Sequence, residues 1–118
     1  MAELSRYAAR KLAQARRICF GRPVTAYITN AQIIARAGFG VMHDHIKADA
    51  WGRFSDGHRV RTSDVMRTER IDGFYVLHTR SGSLYVIVTF DPDGGRQSLD
   101  AYNAISPADL HLTHDRLQ

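Results

Sequence analysis

The first third of the chain carries apolar residues at helical spacing. Five small or aliphatic side chains fall within one arc of about 80° when each residue advances a helix by about 100°: Leu4, Ala8, Leu12, Ala15 and Cys19. The pattern predicts an amphipathic helix over residues 3–18. Phe20-Gly21-Arg22-Pro23 is expected to end it, because glycine adopts the left-handed cap conformation and proline cannot continue a helix. The stripe is narrow and rich in alanine, so we expect close packing against a sheet.

The second half of the chain alternates between apolar and polar residues with the period of a strand. Three turn dipeptides separate the alternating runs: Asp56-Gly57, Asp72-Gly73 and Ser81-Gly82. They predict strands near residues 46–54, 58–67, 74–80 and 84–90, with a hairpin over 74–90. The last strand is apolar on both faces: Leu84, Val86, Val88 and Phe90 on one, Tyr85 and Ile87 on the other. This is typical of a strand covered on both sides, or of one inside a curled sheet.

Shorter segments complete the predicted architecture. Residues 24–29 form a predicted strand, Asn30 is expected to cap a helix over 31–37 that Gly38 closes, and residues 39–42 are expected to form a buried connection. Ser98 is expected to cap a helix over 99–105, and Ser106-Pro107 to begin another helical turn. The element order indicates an α+β fold: an N-terminal amphipathic helix packed on a four- to five-stranded, strongly curved antiparallel sheet, then a short C-terminal helical segment. The 118 residues match one domain, 1–118.

Charge is unevenly distributed along the chain. The net charge is +4, but residues 1–61 hold eleven Lys and Arg against four Asp and Glu, and residues 62–118 hold five against eight. This asymmetry favours a polar binding surface, although solvated charges that only keep a protein in solution would give the same counts. No apolar run reaches the ~20 residues of a membrane span, and the N-terminus lacks the apolar core of a signal peptide. We therefore expect a cytoplasmic protein without membrane contact.

The chain contains one cysteine, Cys19, so an internal disulfide cannot form. A chain without disulfides fits a reducing compartment. No histidine or acidic residue accompanies Cys19 in the sequence, so we expect a buried and inert thiol rather than a reactive one.

Residues that commonly carry catalysis are present without the spacing that catalysis needs. His43-Asp44-His45 would direct two imidazoles to one side of a strand, as a metal site requires. Four further histidines are candidate ligands, but the set lacks the spacing of zinc sequences: His58, His78, His111 and His114. Gly-x-Ser-x-Gly, phosphate-binding glycine loops and a complete calcium loop are all missing. We expect no catalytic residue, metal or cofactor, with a small metal-dependent enzyme built on His43 and His45 as an alternative.

Arginine placement supplies the remaining candidate site. Arg6, Arg10 and Arg17 form a stripe on the predicted polar side of the N-terminal helix, and we call these three residues the arginine stripe. A second group flanks the Asp56-Gly57 turn, with a nearby aromatic ring that could stack on a ligand: Arg53, Arg59, Arg61 and Trp51. Arginine forks bind carboxylates or phosphates bidentately. The alternative is that Trp51 anchors the core and that the arginines are only solvated.

Residues 51–65, WGRFSDGHRVRTSDV, and residues 79–85, TRSGSLY, together resemble a pattern in small proteins of bacteriophages and other mobile elements. The pattern is an aromatic-rich strand, Asp-Gly, Val-x-Thr-Ser, and then Thr-x-Ser-Gly-Ser-x-Tyr, over about 35 residues, less than a third of the chain. The resemblance implies an accessory protein, which in anti-CRISPR inhibitors often acts by covering a surface of a host defence complex. It implies no catalytic residues. Many such inhibitors are acidic mimics of nucleic acid, whereas this chain is basic.

Three hypotheses follow from the sequence. The first is a non-catalytic phage-type protein that inhibits a CRISPR-like nuclease complex through protein contact, with a host protein or ribonucleoprotein complex in the bacterial cytoplasm as its partner. The second is a nucleic-acid-binding accessory protein that uses the same arginines with Trp51. The third is the small metal-dependent enzyme. A homodimer is open to the chain if the sheet leaves an exposed strand edge.

Overall fold

The computed structural model describes residues 4–48, 51–52 and 55–105. Two helices and five strands follow one another along the chain: α1 (Arg6–Arg16), β1 (Ala26–Ile34), β2 (Ala37–His43), β3 (His58–Ile71), β4 (Phe74–Thr79), β5 (Leu84–Ile87) and α2 (Gly95–Ala104). The predicted α+β class is confirmed. None of the helices in the described part of the chain is long and apolar enough to cross a membrane.

The five strands form a meander that curls until its two ends meet as a closed barrel. Consecutive strands pair antiparallel, and β1 pairs with β5 in parallel. Each hairpin reverses the chain direction, so the first and fifth strands must point the same way and the closing pair must be parallel. The predicted strong curvature is therefore confirmed, and each strand has a neighbour on both sides. The pairing of β2 with β3 ends at Asp64, so the second half of β3 pairs with β4 alone.

The helix predicted over residues 31–37 is wrong, because β1 continues through Asn30. Asn30 has φ 54°, and the pairing register with β2 shifts between Thr29 and Gln32. This bulge bends β1 so that Ala31 bridges Phe90 beyond the end of β5. Asparagine tolerates the left-handed conformation, which serves a bulge as well as a helix cap, and the apolar pair that follows is too short to separate the two.

The connection predicted at residues 39–42 is part of strand β2, which pairs with β1 and β3. Ala35 and Arg36 form the two-residue turn that joins β1 to β2, with φ of 49° and 71°. Neither alanine nor arginine is typical of such a turn, so the sequence does not predict it. The strand predicted near residues 46–54 is also wrong for the described positions 46–48 and 51–52, which are not in strand. Asp44, with φ 56°, ends β2 before that segment.

Two hydrophobic clusters lie on opposite faces of β4 and β5. Inside the barrel, Leu77 and Ile87 pack with residues of β1–β3 and with Leu99 of α2. Outside it, Val76 and Val86 pack with Leu12 and other residues of α1 and the segment after it. The two-faced burial predicted for residues 84–90 is therefore confirmed within β5, since α1 covers one face and the barrel interior the other.

Helix α1 begins at a cap that the sequence pattern did not single out. The Ser5 hydroxyl accepts a hydrogen bond from the Ala8 N–H over 3.0 Å. Ala8, Leu12 and Ala15 are buried, as predicted, whereas Leu4 is 37% exposed. Cys19 lies beyond the helix end and is exposed, so the expectation of a buried thiol is wrong. The 100° spacing no longer applies there, because the helix has already ended at Arg16.

Helix α2 begins at Gly95, not at the predicted cap Ser98. Gly94 occupies the cap with φ 95°, and a Cβ atom at Gly95 would overlap the Ala31 carbonyl oxygen. The Ser98 hydroxyl instead donates to the Gly95 carbonyl and accepts from the Ile33 N–H over 2.8 Å. Helix α2 is thereby fixed to β1. Ser106-Pro107, His111 and His114 lie outside the described residues.

Serine residues of β3 and of the turn that follows β4 meet at the tip of the β4–β5 hairpin. The Ser63 hydroxyl lies 3.1 Å from the Ser81 hydroxyl and accepts from the Ser81 N–H over 3.2 Å. The Ser81 and Ser83 hydroxyls are 3.3 Å apart. The predicted hairpin around residues 80–83 is confirmed, and its Ser-Gly-Ser segment forms a hydrogen-bonded turn.

Candidate functional site

A cleft with a volume of about 930 Å³ lies between the first turns of α1 and the rim of the barrel. We call this cleft the basic groove. It is lined by four cationic side chains and four aromatic rings, together with two histidines and smaller residues: Lys11, Arg59, Arg70 and Arg96; Tyr7, Phe74, Tyr75 and Phe90; His43 and His58. Its volume lies within the range of about 300–1,000 Å³ that is usual for ligand clefts.

The groove forms where β4 begins. Asp72 and Gly73 make a tight turn with φ of 49° and 88°, and Phe74 and Tyr75 follow it directly. Neighbouring residues of a strand point to opposite faces. Phe74 therefore packs in the outer cluster beneath α1, whereas Tyr75 packs against the inner cluster. The two rings thus present aromatic surface on both sides of the same rim.

Three of the four cations of the groove lie over these rings. The Lys11 ammonium is 4.8 Å from the Phe74 ring centroid. The guanidinium carbons of Arg70 and Arg96 each lie 5.0 Å from the Tyr75 centroid. Arg96 also lies 5.8 Å from the centroid of Phe90. Each such contact contributes about 0.5–1 kcal/mol at an exposed site and limits the freedom of a long side chain. These three cations are therefore biased towards their positions on the rings before any ligand arrives.

The lysine and arginine side chains that line the groove have no acidic counterpart in the described part of its lining. Among the described residues that line it there is no aspartate or glutamate. Two distances of 5.0 Å to one centroid place the guanidinium carbons of Arg70 and Arg96 no more than 10.0 Å apart. Asp100 offsets part of this charge from outside, at 3.4 Å from Arg96 Nε, but both side chains of that pair are exposed. Such a pair is weak and screened by water, so the groove keeps a positive potential.

The two histidines of the alternative metal hypothesis, His43 and His45, each make a hydrogen bond with another described residue. His43 Nε2 lies 2.9 Å from the Thr29 hydroxyl, and His45 Nδ1 accepts from the Lys47 N–H over 3.1 Å. Burial lowers the pKa of both histidines from the ordinary value of 6.5, and for His43 the nearby Asp56 and Asp44 act in the opposite direction. No group of three or more His, Cys, Asp or Glu within the described ranges has the arrangement of a metal site.

The arginine stripe is exposed, as its spacing predicts. Arg6, Arg10 and Arg17 are all solvent-exposed, and none forms an ion pair with another described residue. None of the three lines the basic groove. Arg16, one position before Arg17, does pair. Its Nε and Nη2 donate to the two Asp44 carboxylate oxygens over 2.7 and 2.9 Å, which links the end of α1 to the end of β2.

The arginines predicted to flank the Asp56-Gly57 turn do not all line the same cleft. Arg59 and Arg61 are exposed, as expected, but only Arg59 lines the basic groove. Arg61 lies over the Phe39 ring at 5.8 Å, beside a shallow depression of about 300 Å³ that it lines. Trp51 is 87% exposed, so it is not a core anchor. Arg53 lies outside the described residues.

A histidine–carboxylate pair joins β3 to β4 away from the groove. His78 Nε2 lies 2.8 Å from Glu69 Oε1, and this hydrogen bond is the main cause of the lowered Glu69 pKa. The buried Nδ1 atom of His78 has no partner among the described groups. A catalytic base of this type needs a nucleophile within hydrogen-bond reach. No described hydroxyl or thiol makes such a contact with His78, and the pair links β3 to β4.

The main groove residues were missed by the sequence analysis: Tyr7, Lys11, Arg70, Tyr75 and Arg96. They come from α1, the end of β3, the start of β4 and the start of α2. Arg70 precedes the Asp72-Gly73 turn and Tyr75 follows it. The predicted turn was therefore the one sequence signal that could have indicated that these two residues are neighbours. Lys11 and Arg96 reach the same rim only through the packing of α1 and α2 on the barrel.

No protein-family model, curated protein or solved structure matches this chain. The geometry of the groove and of the arginine stripe therefore carries the functional argument.

Proposed function

We propose that this protein is a non-catalytic binding protein that holds a nucleic acid in the basic groove. The supporting observation is the placement of Lys11, Arg70 and Arg96 on aromatic rings in a cleft that no described carboxylate lines. Lysine and arginine are the residues that neutralise phosphodiester backbones, and aromatic rings stack on bases. A groove that offers both suits a polyanion with aromatic bases better than it suits a simple anion.

The stacked cations favour binding for a physical reason. Ordering a long, flexible side chain on association costs about 0.5–1.5 kcal/mol, and a side chain already held on a ring avoids part of that cost. Arg70 and Arg96 carry like charges no more than 10.0 Å apart, and a phosphate group near both would relieve their repulsion.

The first prediction concerns the salt dependence of binding. We expect the protein to bind a fluorescently labelled oligonucleotide, with an affinity that falls steeply between low and physiological salt. Lys11→Gln should reduce the slope of log affinity against log salt by about 1, and Arg70→Gln with Arg96→Gln by about 2. Fluorescence polarisation over a salt series measures both slopes.

Arg10→Gln with Arg17→Gln is the matched control, because it removes two charges from the same small protein outside the groove. We expect this variant to keep the wild-type slope within error. The proposal is overturned if the wild type shows no salt-dependent binding, or if the arginine-stripe variant loses affinity while the groove variants do not.

The arginine stripe supports a second candidate function, inhibition of a host defence complex through contact with an acidic protein surface. Its three arginines are exposed and lie outside the groove, so they are available for a different contact. Guanidinium groups form bidentate pairs with carboxylates, which makes an acidic protein surface a suitable partner.

Affinity capture from bacterial lysate after nuclease treatment tests this second function, with Arg10→Glu beside the wild type. Arg10→Glu should alter stability by about 0.5 kcal/mol or less, because the side chain is exposed. A nuclease-resistant protein partner that Arg10→Glu no longer captures would support inhibition by contact. Loss of all captured material after nuclease treatment would contradict it.

A further inference from the structure

The shape of the basic groove bears on which form of nucleic acid it can take. One wall is the first turns of α1, with Tyr7 and Lys11, and the other is the rim of the barrel, with Tyr75 and Phe90. The cations Lys11, Arg70 and Arg96 thus line a concave surface between two walls. A duplex presents only the edges of its bases, in the major and minor grooves, so it has no free base face to stack on a ring. A flexible single strand can lie down into a cleft of this kind.

Tyr7 is the ring of the groove that is most available for stacking. Its residue surface is 56% exposed, whereas Phe74 is buried. Tyr75 is already covered by Arg70 and Arg96, and Phe90 by Arg96. Tyr7 makes no ring or cation–π contact with another described residue. An exposed aromatic ring in a cationic cleft is the surface on which an unpaired base stacks.

The spacing on α1 couples that ring to a charge. Tyr7 and Lys11 are four residues apart, and side chains at this separation are neighbours on a helix, with about 5–6 Å between their Cβ atoms. Lys11 also lies over Phe74, which fixes its ammonium towards the barrel. One turn of α1 therefore offers a stacking surface beside a fixed positive charge, as one base and its phosphate require.

We infer that the groove binds single-stranded rather than double-stranded nucleic acid, with Tyr7 as the platform for one unpaired base and Lys11, Arg70 and Arg96 as contacts to the backbone. This inference rests on the proposed function and adds the form of the ligand and the role of a residue outside the cationic set. The opposite arrangement places the arginine stripe of α1 in the major groove of a duplex, which would need no base stacking.

The test compares three probes of equal total charge with the full-length protein: a single-stranded oligonucleotide, a duplex of half its length, and inorganic polyphosphate. We expect the single strand to bind more tightly than the other two. Tyr7→Ala should weaken single-strand binding about fivefold or more and leave polyphosphate binding unchanged, because polyphosphate has no bases. Tyr7→Phe should retain single-strand binding, since it keeps the ring. Thermal melts of all variants check that the fold is intact.

The outcomes separate this inference from the proposed function. If Lys11→Gln weakens binding to all three probes while Tyr7→Ala changes none, the groove binds nucleic acid and the stacking inference is wrong. A duplex that binds as tightly as the single strand, with loss of affinity in Arg10→Gln, contradicts the inference in favour of the α1 outer face. If no probe binds, the proposed function fails as well.

Discussion

At the scale of single residues, Gly40 shows how closely β1 and β2 approach within the barrel. A Cβ atom at this position would overlap the Ile28 side chain and lie 2.8 Å from the Thr29 carbonyl oxygen. Backbone atoms cannot move aside as the end of a flexible side chain can. At Gly38, two positions earlier, the nearest neighbour would be the mobile end of Leu77 at 3.0 Å. Glycine is thus required more strictly at position 40 than at position 38.

We expect Gly40→Ala to lower the free energy of unfolding by about 1–3 kcal/mol, through overpacking against fixed backbone. Gly38→Ala serves as the matched control and should cost less, because its nearest contact would be the end of the Leu77 side chain at 3.0 Å and not backbone. Neither glycine has a positive φ, so backbone strain does not contribute to the difference. Urea denaturation of both variants measures it. Equal stabilities for the two alanine variants would show that β1 moves freely away from β2.

At the scale of elements, the β1–β2 and β3–β4 hairpins have two-residue turns of similar conformation but different sequence. Both are closed by two residues at positive φ, Ala35-Arg36 in the first and Asp72-Gly73 in the second. Aspartate and glycine accept this conformation at low cost, whereas alanine and arginine are strained in it. The β1–β2 hairpin is therefore held by its strands, whose pairing contacts and buried residues outweigh the local strain.

Replacing Ala35-Arg36 by Asn-Gly should raise the free energy of unfolding by about 1 kcal/mol or more, because Asn-Gly suits a turn with two positive φ values. The carbonyl of residue 36, which accepts from the Val65 N–H over 2.7 Å, is kept in this variant. Asp72→Ala is the converse variant and should lower stability by a similar amount. Differential scanning calorimetry measures both changes, and a loss of stability in the Asn-Gly variant would contradict the argument.

The elements also show what sequence patterns could and could not establish. Helix α1 and the β4–β5 hairpin were predicted correctly, because a long apolar stripe and a Ser-Gly turn are local features. Strand β2 was missed because its turn lacks glycine and asparagine, and the helix predicted after Asn30 was wrong because one left-handed residue suits either a bulge or a cap. The exposure of the arginine stripe was predicted, but the basic groove was not, since its five main residues, Tyr7, Lys11, Arg70, Tyr75 and Arg96, lie on four separate elements.

At the scale of the whole molecule, β4 and β5 connect the two hydrophobic clusters. Val76 and Val86 belong to the outer cluster beneath α1, and the alternate residues Leu77 and Ile87 belong to the barrel interior. Loosening one face of these strands therefore disturbs the other. We expect α1 and the barrel to unfold together rather than as separate units.

Leu12→Ala in the outer cluster and Leu77→Ala in the inner one should each lower stability by about 2–5 kcal/mol, because both side chains are buried. Each variant should still show a single unfolding transition, with the same midpoint by far-ultraviolet and near-ultraviolet circular dichroism. A separate early transition in Leu12→Ala, with the barrel signal retained, would show that α1 detaches independently.

The sequence by itself determined which faces of α1 and β5 are buried and that the fold is α+β, because these properties follow from spacing within one element. Tertiary structure alone decided that the sheet closes with a parallel β1–β5 pair, that β1 bends at Asn30, and that Lys11, Arg70 and Arg96 meet around Phe74 and Tyr75. The physical reason is that periodicity reports the side of an element that faces inward. It carries no information on which elements become neighbours once a curved sheet closes.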